Sequence, residues 1–238
     1  MNPYQKLLNR KRTWTPVQTT AGKLVDGAEE TIFRALAMRH MELPVGDFIA
    51  DALNNEVPEA AVGLLRSNIK DEENHDLALG YIANAVGVDE KAEAEAKRIR
   101  QAWIEHPDHT VLKAMVAERA IFFVLLPFFR FNGDAGMRTV SADISRDEQV
   151  HVATNSLVCR ELGLTVSPSL DKLRKATIAW VMQPLKSQAS NKYLNKEFWL
   201  HQSDSLMYSG KAEGLLETQR ARMPAFFEHA NPNLPQYA

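Results

Sequence analysis

A single cysteine, Cys159, stands in 238 residues, which leaves no internal disulfide framework and fits a reducing compartment. Neither sign of charge dominates: 28 Lys and Arg oppose 30 Asp and Glu, a formal net of -2. Nucleic acid and acidic membrane surfaces, which call for a basic excess, are therefore not expected as partners. The longest apolar run, Ala120 to Phe129, is interrupted by Pro127 and is too short to span a bilayer. The first residues, Met1-Asn2-Pro3-Tyr4-Gln5-Lys6, lack the charged-then-apolar order of a signal peptide. A water-soluble, cytoplasmic protein is the expectation. Glycine and proline are scarce, at 11 each, and no Asn-Gly turn separates alternating apolar runs.

What is present is helical periodicity. Residues 1–20 read as an irregular arm carrying Trp14 and Pro16. A first helix is expected from about Leu24 to Leu43, with Val25, Ile32, Leu36 and Leu43 on one stripe, ending at Pro44 and Gly46. A short helix at Asp47–Leu53 and a long one at about Pro58–Val86 follow. Asp89 should cap a charged helix, Glu90 to Ile104. Thr110–Phe131 is apolar enough to lie at the centre of the fold. Asn132-Gly133-Asp134 is a turn, and the next helix should run to Leu162 with Gly163 as its stop. Ser167-Pro168-Ser169 opens a helix to about Pro184, one or two more fill Asn191–Phe227, and the last eleven residues are extended. No long polar linker divides the chain. The pattern predicts one all-α domain, 1–238.

Among seven histidines, two stand in a Glu-x-x-His pair: Glu72/His75 and Glu148/His151. Residues three apart share a helix face, so each pair can turn a carboxylate and an imidazole toward one point. One such pair means little, since about half an occurrence is expected by chance from ordinary composition. Taken alone, each pair lies in a polar stretch and reads as a solvated face. Glu118, however, is an acid among Met115, Ile121, Phe122 and Leu125, where an uncompensated charge costs several kcal/mol. Glu29 shares the stripe of Val25, Ile32 and Leu36 and is preferred over Glu30, about 100° away. Together, Glu29, Glu72, His75, Glu118, Glu148 and His151 match the ferritin-like di-metal carboxylate bundles, in which two helices give one Glu each and two give Glu-x-x-His; the expected fold is therefore a ferritin-like four-helix bundle core with additional helices. Four carboxylates balance two divalent cations, and oxygen and imidazole ligands suit iron or manganese. The expected cofactor is two metal ions per chain, Fe or Mn/Fe. The remaining histidines, His40, His106, His109, His201 and His229, have no acid at metal spacing and read as structural or surface residues.

Four segments resemble the small, radical-generating subunit of class I ribonucleotide reductase. Ile144-Ser145-Arg146-Asp147-Glu148-Gln149-Val150-His151 resembles that family's Ile-x-Arg-Asp-Glu-x-x-His. Glu118-Arg119-Ala120-Ile121-Phe122 resembles its third metal helix, Thr13-Trp14-Thr15-Pro16 its Trp-x-Pro, and Asn231 to Tyr237 its closing Asn-Pro-x-Pro-aromatic sequence. The resemblance implies that Trp14, Asp147 and His75 form a path for an electron and a proton, and that Phe122, Ile144 and Leu126 line an apolar pocket. It implies O₂ as co-substrate, a large reductase subunit as partner, a homodimer, and a role in making DNA precursors. The sequence also departs from the family. Leu79 stands at the radical tyrosine's position, four residues after His75, and Tyr81 lies about 200° further round. The sequence reaches Ala238 where the family continues into a docking tail. The interval from Glu29 to Glu72 is longer than usual. Glu42 would restore it, but Pro44 follows closely and the stripe favours Glu29.

Leu79, with Phe122, Leu126 and Ile144, is assigned to excluding water. The alternative activity is a small-molecule mono-oxygenase on the same scaffold. From a different class come a ferritin-like iron-binding protein, in which Trp14 and Asp147 would have no purpose, and a metal-free helical interaction module.

Overall fold

The computed structural model of the chain describes residues 2–208, apart from Glu56 and Gln188. Among these residues the fold is all-α, consistent with a ferritin-like bundle; the only β pairing is an isolated bridge between Lys186 and Asn195. The helices are α1 (Pro3–Leu8), α2 (Glu29–Ala37), α3 (Glu42–Leu53), α4 (Glu59–Val86), α5 (Glu90–Glu105), α6 (Thr110–Ala117), α7 (Phe123–Asn132), α8 (Ala135–Glu161), α9 (Pro168–Met182) and α10 (Lys196–Tyr208). α3 packs on α4 and α6, α4 on α8, and α6 and α7 on α8. This closes a bundle of α3, α4, the α6–α7 rod and α8, with α2, α5, α9 and α10 outside it. No described helix is long and apolar enough to cross a membrane.

Most helix ends lie where the local chemistry puts them. Asp89, Asp134 and Ser167 accept the backbone N–H groups of Ala92, Met137 and Leu170, so α5, α8 and α9 each begin with a capped first turn. Gly163, at φ 65°, ends α8 in the left-handed region that glycine tolerates best. The arm is less irregular than its composition predicts, because Asn2 caps α1 through the Tyr4 N–H and Pro3 takes the first helical position.

Two elements differ from the sequence expectation in a way that shapes the centre of the molecule. The first predicted helix is two helices. α2 ends at Ala37, a 3₁₀ turn spans Met38–Met41, and α3 starts at Glu42. Pro44 does not stop a helix here; it sits in the first turn of α3, where a missing N–H leaves no bond unmade. Gly46 faces α4, where a Cβ would be in ordinary van der Waals contact with Cβ and Cγ of Glu72. The apolar helix is interrupted as well: a π segment, Glu118–Phe122, lies between α6 and α7. Such one-turn widenings recur at functional sites. The segment from 209 onward, which includes the Asn231 to Tyr237 motif and the extended tail, lies outside the described residues.

The α7–α8 corner is tight. The Gly133 N–H donates to Phe129 O at 2.7 Å. A Cβ on Gly133 would sit 2.5 Å from that same oxygen and 2.6 Å from the Met137 side chain. Gly133→Ala is expected to cost about 1–3 kcal/mol, the usual range for forcing extra volume into a packed site, read as a lower urea midpoint at unchanged slope.

Candidate metal centre

α4 carries Asp71, Glu72 and His75 on one face, and α8 carries Asp147, Glu148 and His151 at the same spacing. Helical geometry puts each Glu and His on a shared stripe, and the packing of α4 on α8 brings the two stripes together. Glu118 enters from the start of the π segment, and Glu42 from the start of α3. All six of Glu42, Glu72, His75, Glu118, Glu148 and His151 are 1% exposed or less. Ligand atoms of Glu72, His75, Glu148 and His151 lie within 4.8 Å of one another, close enough to hold metal.

The distances divide the six into two positions that share two carboxylates. His75 Nδ1 is 3.7 Å from Glu42 Oε2, 3.4 Å from Glu72 Oε2 and 3.3 Å from Glu148 Oε1. His151 Nδ1 is 2.9 Å from Glu72 Oε1, 3.7 Å from Glu118 Oε1 and 3.9 Å from Glu148 Oε1. Glu72 thus turns one oxygen to each imidazole, and Glu148 lies near both. Glu42 belongs to the His75 side alone and Glu118 to the His151 side alone. The sharing pair is Glu72 with Glu148, whereas Glu118 is terminal, held by Asn155 Nδ2 donating to its Oε2 at 2.7 Å.

Both oxygens of Glu42, Glu72 and Glu148, one oxygen of Glu118, and Nδ1 of both histidines are buried without a well-aligned hydrogen bond, the 2.9 Å approach of His151 Nδ1 to Glu72 Oε1 being the nearest to one. Buried polar atoms are rarely left so. Here nine of them face one another across a space of a few ångströms, while the outer nitrogen of each imidazole is engaged. His75 Nε2 lies 3.3 Å from Asp147 Oδ2, and His151 Nε2 lies 2.8 Å from Asp71 Oδ2. Carboxylates on the outer nitrogens place protons there and leave each Nδ1 lone pair directed inward, the usual outer arrangement of metal-ligating histidine. The donor set, four carboxylates and two imidazoles, fits a pair of divalent cations, with Glu72, His75, Glu148 and His151 as the closest group.

Without such cations the charges do not balance. Burial pushes the Glu42, Glu118 and Glu148 carboxyls up, Glu42 and Glu118 well above the ordinary range. Burial acts on Glu72 in the same sense, but His151 and His75 outweigh it and hold that carboxyl low. The imidazoles respond in reverse. Burial disfavours their charge, yet Asp147, Glu148, Glu42 and Glu72 raise His75 well above its usual value, and Glu72 with Asp71 raises His151 to about 10. The cluster retains protons that two dications would displace.

One expected ligand is elsewhere. Glu29 is exposed at the first turn of α2, where its Oε2 accepts the Gly27 N–H at 2.9 Å; an acid is stabilised there by the helix N-terminus. Glu30 is exposed too and pairs with Arg34 at 2.9 Å. The stripe that favoured Glu29 counted Val25 as helical, but α2 begins only at Glu29, which leaves that acid at an open helix end; the turn at Met38–Met41 then leads into α3, whose first residue is Glu42. Glu42 takes the place assigned to Glu29.

Of the other expected residues, Trp14 and Asp147 stand directly behind His75. Trp14 Nε1 donates to Asp147 Oδ2 at 2.6 Å, and its ring stacks with His75 at 6.3 Å between centroids. Leu79 lies one turn past His75, Ile144 one turn before Glu148, and Phe122 closes the π segment that Glu118 opens; all three are buried in the core with Leu126. Sequence reasoning missed Asp71, Lys11 and Asn155. A signal for Asp71 was present, because Asp precedes Glu in both Glu-x-x-His pairs. Lys11 and Asn155 left none.

The fold has a solved counterpart. A crystal structure of a Bacillus halodurans protein assigned as a class I ribonucleotide reductase matches with TM-score 0.61, covering 96% of this chain and 94% of that one at 13% identity. At that identity the similarity is one of fold. No family model matches the chain, and no curated protein matches it significantly.

Two outcomes are expected. Glu42→Ala lowers bound iron or manganese measured by elemental analysis after dialysis, whereas Glu29→Ala leaves it unchanged. Glu118→Gln, which removes a carboxyl whose ionisation is disfavoured by burial, stabilises the metal-free protein by about 1–3 kcal/mol at pH 7 in chemical denaturation. The sign follows from the raised folded-state value: the carboxyl's contribution to stability is lost as pH rises through and above the range where the unfolded chain ionises.

Proposed function

We propose that the protein is a di-metal oxidoreductase that activates O₂, of the ribonucleotide reductase small-subunit type, passing an oxidising equivalent to a large partner subunit as a homodimer. The observation that carries this reading is the continuous contact from Trp14 through Asp147 to His75, ending on a buried set of six metal-type donors. The fold shared with the Bacillus halodurans protein supports it. A storage protein needs the donors but has no use for an indole hydrogen-bonded to the carboxylate behind one ligand.

Two iron ions, or one manganese and one iron, bound by Glu42, Glu72, His75, Glu118, Glu148 and His151 would supply O₂ reduction. The chain's own residues do the rest. Glu72 and Glu148 hold the two positions together, and Glu42 and Glu118 complete the charge balance from opposite sides. Asp147 keeps the proton of His75 on Nε2 and accepts the Trp14 N–H on the same oxygen, so an electron leaving the indole has its proton acceptor already in contact. Leu79, Phe122 and Ile144 surround the site with apolar side chains that keep bulk water from quenching an oxidant.

A small-molecule oxygenase is the second reading, favoured by one observation: a buried leucine, Leu79, at the position one turn beyond His75. That side chain cannot store a radical. On the reductase reading the oxidising equivalent then stays with the metals.

The test is anaerobic loading with iron, or iron plus manganese, followed by O₂ and by optical and spin-resonance spectra. A long-lived oxidised centre that a large reductase subunit consumes supports the reductase reading. Rapid decay with oxygen incorporated into an added organic substrate supports the oxygenase. Trp14→Phe is expected to keep two metals per chain while slowing the one-electron step to or from the centre by about 10–100-fold, the usual cost of removing an outer partner of a ligand.

A further inference from the structure

The networks behind the two histidines are mirror counterparts, and they exchange helices. Asp147 of α8 binds His75 of α4, while Asp71 of α4 binds His151 of α8. In each, a single oxygen, Oδ2, meets the imidazole and also a donor from the N-terminal arm. Trp14 Nε1 is that donor for Asp147. For Asp71 it is Lys11 Nζ, which also reaches Asn68 Oδ1 at 3.0 Å, one turn earlier on α4. The Lys11 and Asp71 side chains are only 10% and 12% exposed. An indole and an ammonium three residues apart on one strand of chain thus close the outer contacts of both halves.

We propose that Lys11 is a positioning residue for the metal position built on His151: through Asp71 it fixes that imidazole's orientation, so the arm completes one of two otherwise matched divalent-cation positions. The inference rests on the di-metal reading above. The physical reason is geometric. Asp71 sits at the edge of the bundle, where its carboxylate is free to swing toward water unless a second donor holds the oxygen that faces His151. Lys11 is that donor, and Asn68 holds Lys11. Outer partners of this kind typically account for about 10–100-fold in metal affinity. The neutral indole on one side and the ammonium on the other also make the two positions chemically unequal, although α4 and α8 supply the same Asp-Glu-x-x-His set.

Manganese binding to the full chain tests this, with equilibrium dialysis for affinity and spin resonance for pairing. The wild-type protein is expected to bind two Mn²⁺ and give the spectrum of a coupled pair. Lys11→Met should keep one ion within about threefold of its wild-type affinity and weaken the other by about 10–100-fold, so that the isolated six-line signal dominates at one equivalent. Lys11→Gln, which keeps an uncharged donor, should show a smaller loss at the same ion and serves if the Met variant does not fold. In an Asp71→Asn background, Lys11→Met should add nothing. Equal weakening of both ions, together with a lower melting temperature of the metal-free protein, would mean a merely structural role and overturns the proposal. Unchanged binding of both ions overturns it too. If the wild-type chain itself fails to bind two ions, the di-metal reading is what falls, and this inference falls with it.

Discussion

Four carboxylates and two imidazoles occupy the driest part of this molecule, and the rest of the bundle is arranged around that fact. An ionised carboxylate removed from water without compensation costs several kcal/mol. Glu42, Glu72, Glu118 and Glu148 lie within a few ångströms of one another's partners. Among the described residues, their ion-pair partners are His75 and His151, and those imidazoles engage Asp147 and Asp71 through their outer nitrogens. Compensation by bound cations is the arrangement for which every one of these orientations makes sense. A metal-free interaction module would have no reason to bury so many unpaired acceptors in its core.

That constraint explains features which would otherwise look like defects. The π segment begins at Glu118 and so sets how the acid enters the site from a rod that is apolar on both sides. The 3₁₀ turn at Met38–Met41 leads into α3 at Glu42, whose side chain is fully buried. The arm crosses the outer faces of α4 and α8 because Lys11, Arg12 and Trp14 have carboxylates to meet there; Arg12 donates to Asp143 Oδ1 at 2.8 Å and approaches Asp147 at 4.0 Å. A charge-rich outer layer is the counterpart of an anionic inner one.

Much of this was legible in the residues. Spacing alone identifies α4 and α8 and both Glu-x-x-His pairs, because three residues on a helix is a local rule. Glu118 stands out because an acid in an apolar run violates the composition around it. Glu29 misled for an equally physical reason: periodicity shows which residues share a stripe, not where the helix begins, and α2 starts at Glu29 itself, leaving that acid at an exposed end. Pro44 compounded the error, since proline ends a helix or begins one, and only its neighbours in space decide which. Lys11 and Asn155 were invisible because they act across long separations in sequence, joining Asp71 and Glu118 by contacts that no local pattern encodes.

The asymmetry between the two halves bears on which chemistry the site is built for. A centre whose only task is to hold cations gains nothing from differing outer partners, and matched helices would most simply present matched ones. Here the arm places an oxidisable indole behind His75 and a redox-inert ammonium behind His151. On the proposed reading an electron has one protein route to the metals, through Trp14, and it enters on the Glu42 side. With leucine rather than tyrosine one turn beyond His75, that position on α4 holds no oxidisable side chain. On that reading oxidation would stay with the metals and with whatever reaches them, and the indole would be where electrons are admitted or withdrawn.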